Sequence, residues 1–134
     1  MTVLVTDAGF TADTWDKGYT PYGEAANDVI ALDVPSDVNP ADIAITPSLQ
    51  MIRIDFPSFA DGRGFTIARM LRLAGYKGRL RARGHVISDQ YAMVRRTGFD
   101  EVEITQDVAA RQPQDQWQFR ADWKDNDYQT RMRG

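Results

Sequence analysis

The same local pattern occurs twice in this chain, at an offset of 23 residues. The segments MLRLAGYKGRLRA, from Met70, and MVRRTGFDEVEIT, from Met93, each join a helix-prone run to a β-prone run through a glycine and an aromatic residue. A glycine in that position ends a helix in the left-handed conformation, and the aromatic residue can pack back on the last turn. The pattern therefore predicts a helix-to-strand joint that is used twice, with Gly75 and Gly98 at the helix ends.

Apolar runs predict further elements around these joints. We expect a short helix near Pro40–Ile43 and another helix after Thr105. The main predicted elements are strands near 28–34, 51–56, 79–84 and 101–104 and helices near 65–74 and 89–97. Strands that alternate with helices favour parallel pairing through right-handed crossovers. The expected fold is therefore α/β, a small parallel sheet with flanking helices built from repeated βα units, either flavodoxin-like or part of a β/α barrel.

Both ends of the chain are less regular. TVLVTD, near the start, is interpreted as an extra edge strand, and residues 13–28 as a loop that Trp15 anchors. From about residue 112 the chain is polar with isolated aromatic residues, which predicts a tail that wraps the domain, docks on a partner or frays. A chain of 134 residues can build one core, so we expect a single domain over residues 1–134.

Composition removes several kinds of chemistry. Cysteine is absent, which excludes disulfides, thiolate nucleophiles and cysteine-ligated zinc or iron–sulfur clusters, and His85 is the one histidine. The sequence shows no metal-ligand cluster, so we expect no metal, and it has no P-loop or dinucleotide-binding glycine motif, so the cofactor stays open. It also lacks an apolar run of membrane-spanning length and a signal-peptide pattern. We therefore expect a cytoplasmic protein that binds neither membrane nor nucleic acid.

Charge is distributed unevenly along the chain. Residues 1–60 carry two basic and nine acidic side chains, residues 61–98 nine and two, and residues 99–134 five and eight. A basic middle segment raises the local potential and can attract anions, even though the net charge of the whole chain is −3. The alternative is that these arginines pair with the acidic flanks in the folded protein.

Loops that follow the carboxyl ends of strands are the expected place for a ligand in an α/β protein. One of these loops contains DGRG, in which Gly62 and Gly64 would let the backbone approach a ligand. Arg63, between them, would hold an oxyanion with two hydrogen bonds. A structural interpretation is equally open, with Asp61 as a helix cap, the glycines as a turn and Arg63 facing solvent.

The third predicted strand carries alternating arginines. In GRLRARG, Arg79, Arg81 and Arg83 lie on one face because the side chains of a strand alternate. Either this strand lies at an edge of the sheet with that face exposed to solvent, or its last arginines point toward the opening at the carboxyl ends of the strands, which would be the mouth of a ligand site. We expect Arg81 and Arg83 in that mouth, where they would bind the ligand together with Arg63, and Arg79 on the surface.

Two carboxylates and one imidazole lie close to these arginines in the sequence. Asp61 and Asp89 are the candidate catalytic groups, and His85 could transfer a proton. Ser88 or Asp89 could instead cap the helix that ends at Thr97. These residues leave open whether the protein is an enzyme. The complete predicted ligand-binding set is Gly62, Arg63, Gly64, Arg81, Arg83 and Gln90.

Four segments, in this order, resemble a bacterial family: IDFPSFADGRGFTIARMLR, GYKGRLRARGHVISDQ, RRTGFDEVEI and the late pair Tyr128–Gln129. The chain is similar to the family called domain of unknown function 934 over about residues 28–129. Members are often labelled oxidoreductases of sulfite reduction, because their genes tend to lie beside those of sulfite reductase and sulfate assimilation. The resemblance therefore implies a pathway and no particular mechanism.

The family pattern also identifies positions. The family often has a cysteine where this chain has Thr97 and an acid where it has His85, so neither a thiol nor that imidazole is a shared catalytic group. The pattern falls on Phe56, Phe59, Asp61, Gly62, Arg63, Ala68, Leu71, Arg72, Gly75, Gly78, Arg81, Ala82, Gly84, Asp89, Gln90, Arg96, Gly98 and Phe99.

We consider three functions. The first is an accessory protein of assimilatory sulfite or sulfate reduction that binds an oxyanion or a phosphate-bearing ligand in an arginine-lined mouth. The second is an enzyme, an oxidoreductase or acid–base catalyst, that acts on an anionic substrate. The third is an interaction module that docks on sulfite reductase or another acidic redox partner, with residues 117–128 as a second contact. An exposed sheet edge would also allow a homodimer.

Overall fold

The computed structural model describes residues 2–24 and 28–121. The strands are β1 Thr2–Thr6, β2 Gly9–Thr11, β3 Thr20–Pro21, β4 Ala31–Val34, β5 Met51–Phe56, β6 Arg79–Gly84 and β7 Glu101–Thr105. They form one seven-stranded sheet with the order β2-β1-β7-β6-β5-β4-β3. β3 to β7 are parallel, whereas β1 pairs antiparallel with both β7 and β2. The sheet is therefore mixed but mostly parallel.

The two α-helices that connect parallel strands lie on the same face of the sheet. The helices are α1 Arg63–Leu73, α2 Tyr91–Thr97, α3 Gln106–Arg111 and α4 Gln114–Gln118, with 3-10 helices at Tyr22–Glu24, Pro40–Asp42 and Ser88–Gln90. β5, β6 and β7 are neighbours in chain order, so right-handed crossovers bring α1 and α2 to one side. This is the order of a β/α barrel segment, and it differs from the flavodoxin order, which places helices on both faces.

The α/β class and its repeated βα units are confirmed. The four predicted strands correspond to β4, β5, β6 and β7. The helices predicted near 65–74 and after Thr105 correspond to α1 and α3, and the helix predicted near 89–97 corresponds to α2 together with the 3-10 helix Ser88–Gln90. TVLVTD forms β1, but β1 lies between β2 and β7 and is not at an edge. The sequence interpretation missed β2, β3 and α4, because elements of three, two and five residues are too short to show a periodic pattern.

Both predicted helix-to-strand joints are present. Gly75 and Gly98 have φ angles of +102° and +116°. The backbone N–H groups of Tyr76 and Phe99 donate to carbonyl oxygens in the last turns of α1 and α2, and both aromatic rings are buried. Arg72 of α1 connects the two joints, because its guanidinium donates to the carbonyl oxygens of Tyr76 and Gly98. Several residues of the family pattern therefore have a structural explanation.

The core lies between the sheet and the helices. The ring of Phe56, at the end of β5, is 5.0 Å from the ring of Phe65 and 5.8 Å from that of Phe99. A Cβ atom at Gly64 would lie 2.5 Å from the Phe56 ring, so this glycine lets the start of α1 pack closely on the sheet. Within the described residues, no helix combines the length and apolar character needed to span a membrane.

Candidate functional site

The face of the sheet opposite the helices is charged. Its side chains alternate with core residues such as Ile52, Leu80 and Val102, which point toward the helices. By the strand register, the charged residues that share this face are Asp33, Arg53, Asp55, Arg79, Arg81, Arg83, Glu101 and Glu103. We call this surface the charged face. It is where the arginines of the basic middle segment meet acids from the segments on either side.

Arg81 lies at the centre of the charged face and is fully buried. Its Nε donates to Glu101 at 2.6 Å and its Nη1 to Glu103 at 2.9 Å, while Asp13 accepts two bonds of 3.0 Å from Nη1 and Nη2. Burial lowers the pKa of Arg81, but the bonds to Asp13 and the charge of Glu101 outweigh it and raise that pKa. An oxyanion would have to displace these carboxylates to reach Arg81, so its role in ligand binding stays a prediction.

The position of Arg81 matches the alternative in which the arginines pair with the acidic flanks. β6 is a central strand, paired with both β5 and β7, so it is not at a wet edge. The arginine does not reach out to the mouth either, because its guanidinium is bonded over the middle of the sheet. Acids on β7 and in the segment before β3 neutralise it, which makes a buried arginine tolerable on a central strand.

Residues 12–19 cross the charged face from the β2 edge of the sheet to the β3 edge, and we call this segment the strap. The ring of Trp15 lies 5.8 Å from the Arg79 guanidinium, and the ring of Tyr19 lies 3.6 Å from that of Arg53. Together with the Asp13 bonds, these contacts hold the strap on the sheet. In a closed β/α barrel this face would form the interior. Here the strap covers it.

Arg53 is a second neutralised cation of the charged face. Its Nε and Nη2 donate to the two carboxylate oxygens of Asp33 at 3.1 and 2.8 Å, and its Nη1 donates to Glu103 at 3.2 Å. Burial lowers the pKa of Arg53, but the bonds to Asp33 outweigh it and raise that pKa. The hydroxyl of Tyr19, above it, is buried and has no hydrogen-bond partner among the residues described, and burial raises its pKa.

A cleft opens where the charged face ends, at the carboxyl ends of β4, β5 and β6. It has a volume of about 330 Å³ and is lined by Pro21, Tyr22, Gly23, Asp33, Val34, Pro35, Asp55 and Arg83. Ligands of parallel α/β sheets and β/α barrels bind at this edge, because loops there can vary without disturbing the core. We call this cleft the mouth.

Two side chains of the mouth have unused binding capacity. The side chain of Arg83 is 46% exposed, and its Nε lies 3.6 Å from the nearest carboxylate oxygen, that of Glu103. Asp55 is the register partner of Arg83 on β5, and its carboxylate makes no hydrogen bond or ion pair within the described part of the chain.

The side chain of Arg79, which was predicted to be on the surface, is 33% exposed and pairs with Glu101 at 2.8 Å. Arg83 is therefore the most exposed arginine of β6.

Arg63 lies beside the mouth and does not line it. Its Nε and Nη2 donate to Asp61 at 3.0 and 2.7 Å, and Nη2 also donates to the hydroxyl of Ser36 at 3.0 Å. Asp61 also accepts from the backbone N–H of Arg63 at the start of α1, and these bonds from Arg63 hold the pKa of Asp61 well below its usual range. Ser36 directly follows Pro35, a residue of the mouth. Arg63 and Arg83 have no hydrogen-bond or ion-pair partner in common among the described residues.

Gly62 and Gln90 are two further predicted ligand-binding residues; Gly62 directly precedes α1, and Gln90 ends the 3-10 helix before α2. At Gly62 the nearest atom to an added Cβ would be a ring carbon of Phe65 at 3.8 Å, so close packing does not require glycine there. Gln90 holds two loops together, because its side chain donates to the Phe59 carbonyl at 2.9 Å and accepts from the Ile87 N–H at 3.1 Å. Gln90 therefore supports the loop that carries Asp61 and Arg63 in this structure.

Each candidate acid–base residue has a different partner. Asp61 pairs with Arg63, and Asp89 pairs with Arg120 at 3.1 Å. The ring of His85 is exposed and contacts the edge of the Phe59 ring, at a centroid distance of 5.5 Å. Within the described residues, no group of three or more His, Asp or Glu side chains could hold a metal ion. Catalytic roles for Asp61 and Asp89 stay predictions.

The sequence interpretation missed the acidic side of the mouth. In the sequence, Asp33 and Asp55 are parts of apolar runs. In the sheet, they lie on the same face as the arginines of β6. A signal was present in the sequence. MIRIDF, RLRARG and EVEIT place charged residues at alternate positions, and ALDV places one charged residue at the matching position. Four neighbouring strands with this pattern indicate a charged sheet face, which a single strand does not reveal.

Together these features define an α/β protein with a mostly parallel seven-stranded sheet, helices on one face and charge on the other. Residues 30–134 match the family described as "Bacterial protein of unknown function (DUF934)". The chain belongs to this family, which confirms the resemblance found in the sequence. Neither the curated proteins nor the solved structures contain a match to the chain. The family description names no activity, so function has to be argued from the site.

Proposed function

We propose that this chain is a cytoplasmic, non-catalytic accessory protein of assimilatory sulfite or sulfate reduction that binds an anionic ligand, an oxyanion or a phosphate-bearing group, in the mouth. The observation that carries the proposal is Arg83, half-exposed in a cleft at the carboxyl ends of three parallel strands. Arg63 is a second contact from beside the mouth. The pathway comes from the gene neighbourhood that the family resemblance implies.

The pairing of Arg83 supports this role. The pair between half-exposed Arg83 and buried Glu103 is long, at 3.6 Å, and Glu103 keeps its hydrogen bonds from Arg53 and Arg81, so an anion can replace Glu103 at a small cost of about 0–1 kcal/mol. Arg81 differs, because an incoming anion would have to break bonds of 2.6 to 3.0 Å to buried carboxylates. The volume of about 330 Å³ also suits a small molecule. Arg83, and not Arg81, is therefore the primary contact of the proposal.

Calorimetric titration of the full chain tests the proposal. The ligands are sulfite, sulfate, adenylylated sulfate and flavin nucleotides, and we expect saturable binding of at least one of them. The Arg83→Gln variant should lose about tenfold or more in affinity, since a charge-assisted contact contributes about 1.4 kcal/mol or more. Arg69→Gln, which changes an exposed arginine of α1, is the matched control and should bind normally. Flat heats with all four ligands and a folded protein would overturn the proposal.

Docking on sulfite reductase or another acidic redox partner is a second candidate. It is favoured by an apolar patch on two helices, because Met70 and Leu73 of α1 and Met93 of α2 are 47%, 71% and 51% exposed. Arg69, on α1 beside Met70, would supply the basic contact. Trp117 cannot serve as a second contact since it is 1% exposed, and residues 122–128 lie outside the described residues.

Binding of purified sulfite reductase at low and high salt tests this second candidate. A charge-steered contact should weaken as ionic strength rises, and Leu73→Ser should weaken it at both salt concentrations. Phe119→Ser, which changes another strongly exposed apolar side chain, is the control for a general loss of apolar surface. Equal binding by the wild-type protein and by Leu73→Ser would argue against this surface.

A further inference from the structure

The mouth holds one uncommitted charge of each sign. Asp33, the other acid of its lining, is already bound by Arg53 through two hydrogen bonds. Asp55 has no hydrogen bond or ion pair within the described residues, and Arg83 has a single loose pair with Glu103. A ligand entering the mouth therefore meets a carboxylate and a guanidinium that are both able to bind it.

The sheet register fixes how these two groups are arranged. Asp55 and Arg83 are direct partners in the parallel pairing of β5 with β6, so their side chains leave the same face of adjacent strands. Neighbouring strands lie about 4.8 Å apart, so the two side chains start from adjacent points at the end of the sheet, while Arg83 pairs with Glu103 on β7, the strand on the other side of β6. Pro21 and Pro35 supply rigid apolar wall beside them.

We propose that the ligand of the mouth is a small zwitterion, which places an ammonium group on Asp55 and a carboxylate, sulfonate or similar anionic group on Arg83. This inference rests on the proposed function, that the mouth is a binding site, and it specifies the class of ligand. Next to the carboxylate of Asp55, a simple oxyanion should bind Arg83 more weakly than a zwitterion does, and next to Arg83 a simple organic cation should likewise bind Asp55 more weakly. A molecule with both charges on nearby atoms satisfies both groups.

Pairs of probes that differ by one amino group test the inference. The first pair is 2-aminoethanesulfonate and ethanesulfonate, and the second is L-alanine and propionate. Calorimetric titration of the full wild-type chain should show at least tenfold tighter binding for the amine-bearing member of at least one pair. The variants are Asp55→Asn and Arg83→Gln, with Asp115→Asn and Arg69→Gln as controls at exposed positions elsewhere. Urea unfolding shows that each variant is folded.

The outcomes separate this inference from the proposed function. Asp55→Asn should abolish the preference for the amine and keep or improve binding of the amine-free anion, whereas Arg83→Gln should weaken both members of a pair. If both members bind the wild-type protein equally and Asp55→Asn changes neither, the zwitterion inference is wrong and the anion site stands. If no probe and no oxyanion binds the wild-type protein, the proposed function is wrong, and this inference with it.

Discussion

Arg81 and Arg83 are two residues apart on one strand, yet their surroundings give them different roles. Arg81 is fully buried and shared by three carboxylates, whereas Arg83 is half-exposed and loosely paired with one. The sequence places both on the same face with the same charge. Arg81 lies further from the carboxyl end of β6, where Asp13 of the strap bonds to it, and it is buried. Arg83 lies nearer that end and stays half-exposed.

Replacing these arginines by methionine should separate the two roles. Arg81→Met removes one cation from the buried Glu101 and Glu103, which keep Arg79 and Arg53 respectively, so we expect the free energy of unfolding to fall by about 3 kcal/mol, the lower end of the range for breaking a buried pair. Arg83→Met removes only a long pair of a half-exposed arginine and should cost less than about 1 kcal/mol. Urea denaturation of both variants and the wild-type protein measures the difference. Equal losses would contradict the assignment of Arg81 as the structural cation and Arg83 as the open one.

The link between Asp13 and Arg81 should make stability depend on pH. Burial raises the pKa of Asp13, but the hydrogen bonds from Arg81 outweigh it and keep the pKa below its ordinary value of 3.8. The carboxylate therefore stabilises the fold at pH values above 3.8, and this contribution disappears as pH falls through the lower folded-state pKa. Asp13→Asn should cost about 1 kcal/mol at neutral pH, since Asp13 is partly exposed.

Urea unfolding as a function of pH checks this prediction. The difference in unfolding free energy between the wild-type protein and Asp13→Asn should shrink as pH is lowered from about 5 to about 2. Asp16→Asn, which changes an exposed acid of the same strap, should alter stability little throughout. A difference that stays constant down to the lowest pH would show that the strap is not held by the ionised Asp13.

At the scale of single elements, the end of β6 illustrates how backbone geometry shapes the mouth. Gly84 follows Arg83 directly and has a φ angle of +110°, and a Cβ atom there would lie 2.7 Å from the carbonyl oxygen of Phe56. That carbonyl also accepts a bond of 2.8 Å from the N–H of His85. The glycine therefore lets the end of β6 approach the Phe56 carbonyl of β5 closely, immediately after Arg83.

Two glycine substitutions compare strain with and without a clash. Gly75→Ala introduces a side chain at φ +102° where no atom lies within 4 Å, so we expect a loss of about 1–2 kcal/mol from the left-handed conformation alone. Gly84→Ala adds the clash with the Phe56 carbonyl and should cost clearly more. Thermal and urea unfolding measure both. A smaller loss for Gly84→Ala than for Gly75→Ala would contradict the described approach of the two strand ends.

At the scale of the whole molecule, the first part of the C-terminal segment belongs to the domain. Trp117 of α4 is 1% exposed, its ring meets that of Tyr91 edge to face at 6.0 Å, and its indole N–H donates to the Gln112 carbonyl. The side chain of Gln114 accepts from the N–H of Phe10 on the edge strand β2. Of the alternatives predicted for the tail, residues 114–118 therefore follow the one in which it packs on the domain. Residues 122–134 lie outside the described residues.

Truncation of two aromatic side chains tests whether this segment is structural. Trp117→Ala should reduce the free energy of unfolding by about 3–5 kcal/mol, because it leaves a large cavity beside Tyr91. Phe119→Ala, two residues further along and 74% exposed, should change it by less than about 0.5 kcal/mol. Urea denaturation checks both. A mild effect of Trp117→Ala would mean that the domain folds without α4.

Both edges of the sheet are short, which bears on the predicted homodimer. β2 has three residues, and one of its outward N–H groups is used by Gln114. β3 has two residues and ends in Pro21, which cannot donate a hydrogen bond. Pairing of either edge with a second copy would therefore gain few hydrogen bonds, and the homodimer stays a prediction.

The sequence by itself determined the βα repeats, both helix-to-strand joints, the three arginines on one face of β6 and the family. All of these are local, because a glycine at a helix end or a two-residue alternation acts over a few neighbouring positions. Local patterns do not predict β2 and β3, because these short segments are strands only through their pairing with β1 and β4. Their own residues carry no repeating pattern to identify them.

Only the tertiary structure decided which charges of the site are free. Arg81 is bonded to Asp13 across 68 residues of sequence, and Arg53 to Glu103 across 50. Such partners are set by strand order and by the path of the strap, neither of which composition or spacing encodes. The basic segment therefore predicted an arginine-lined mouth, while the fold brought acids to most of those arginines. Because burial and pairing depend on the assembled sheet, the structure alone shows Arg83 and Asp55 open at its carboxyl edge.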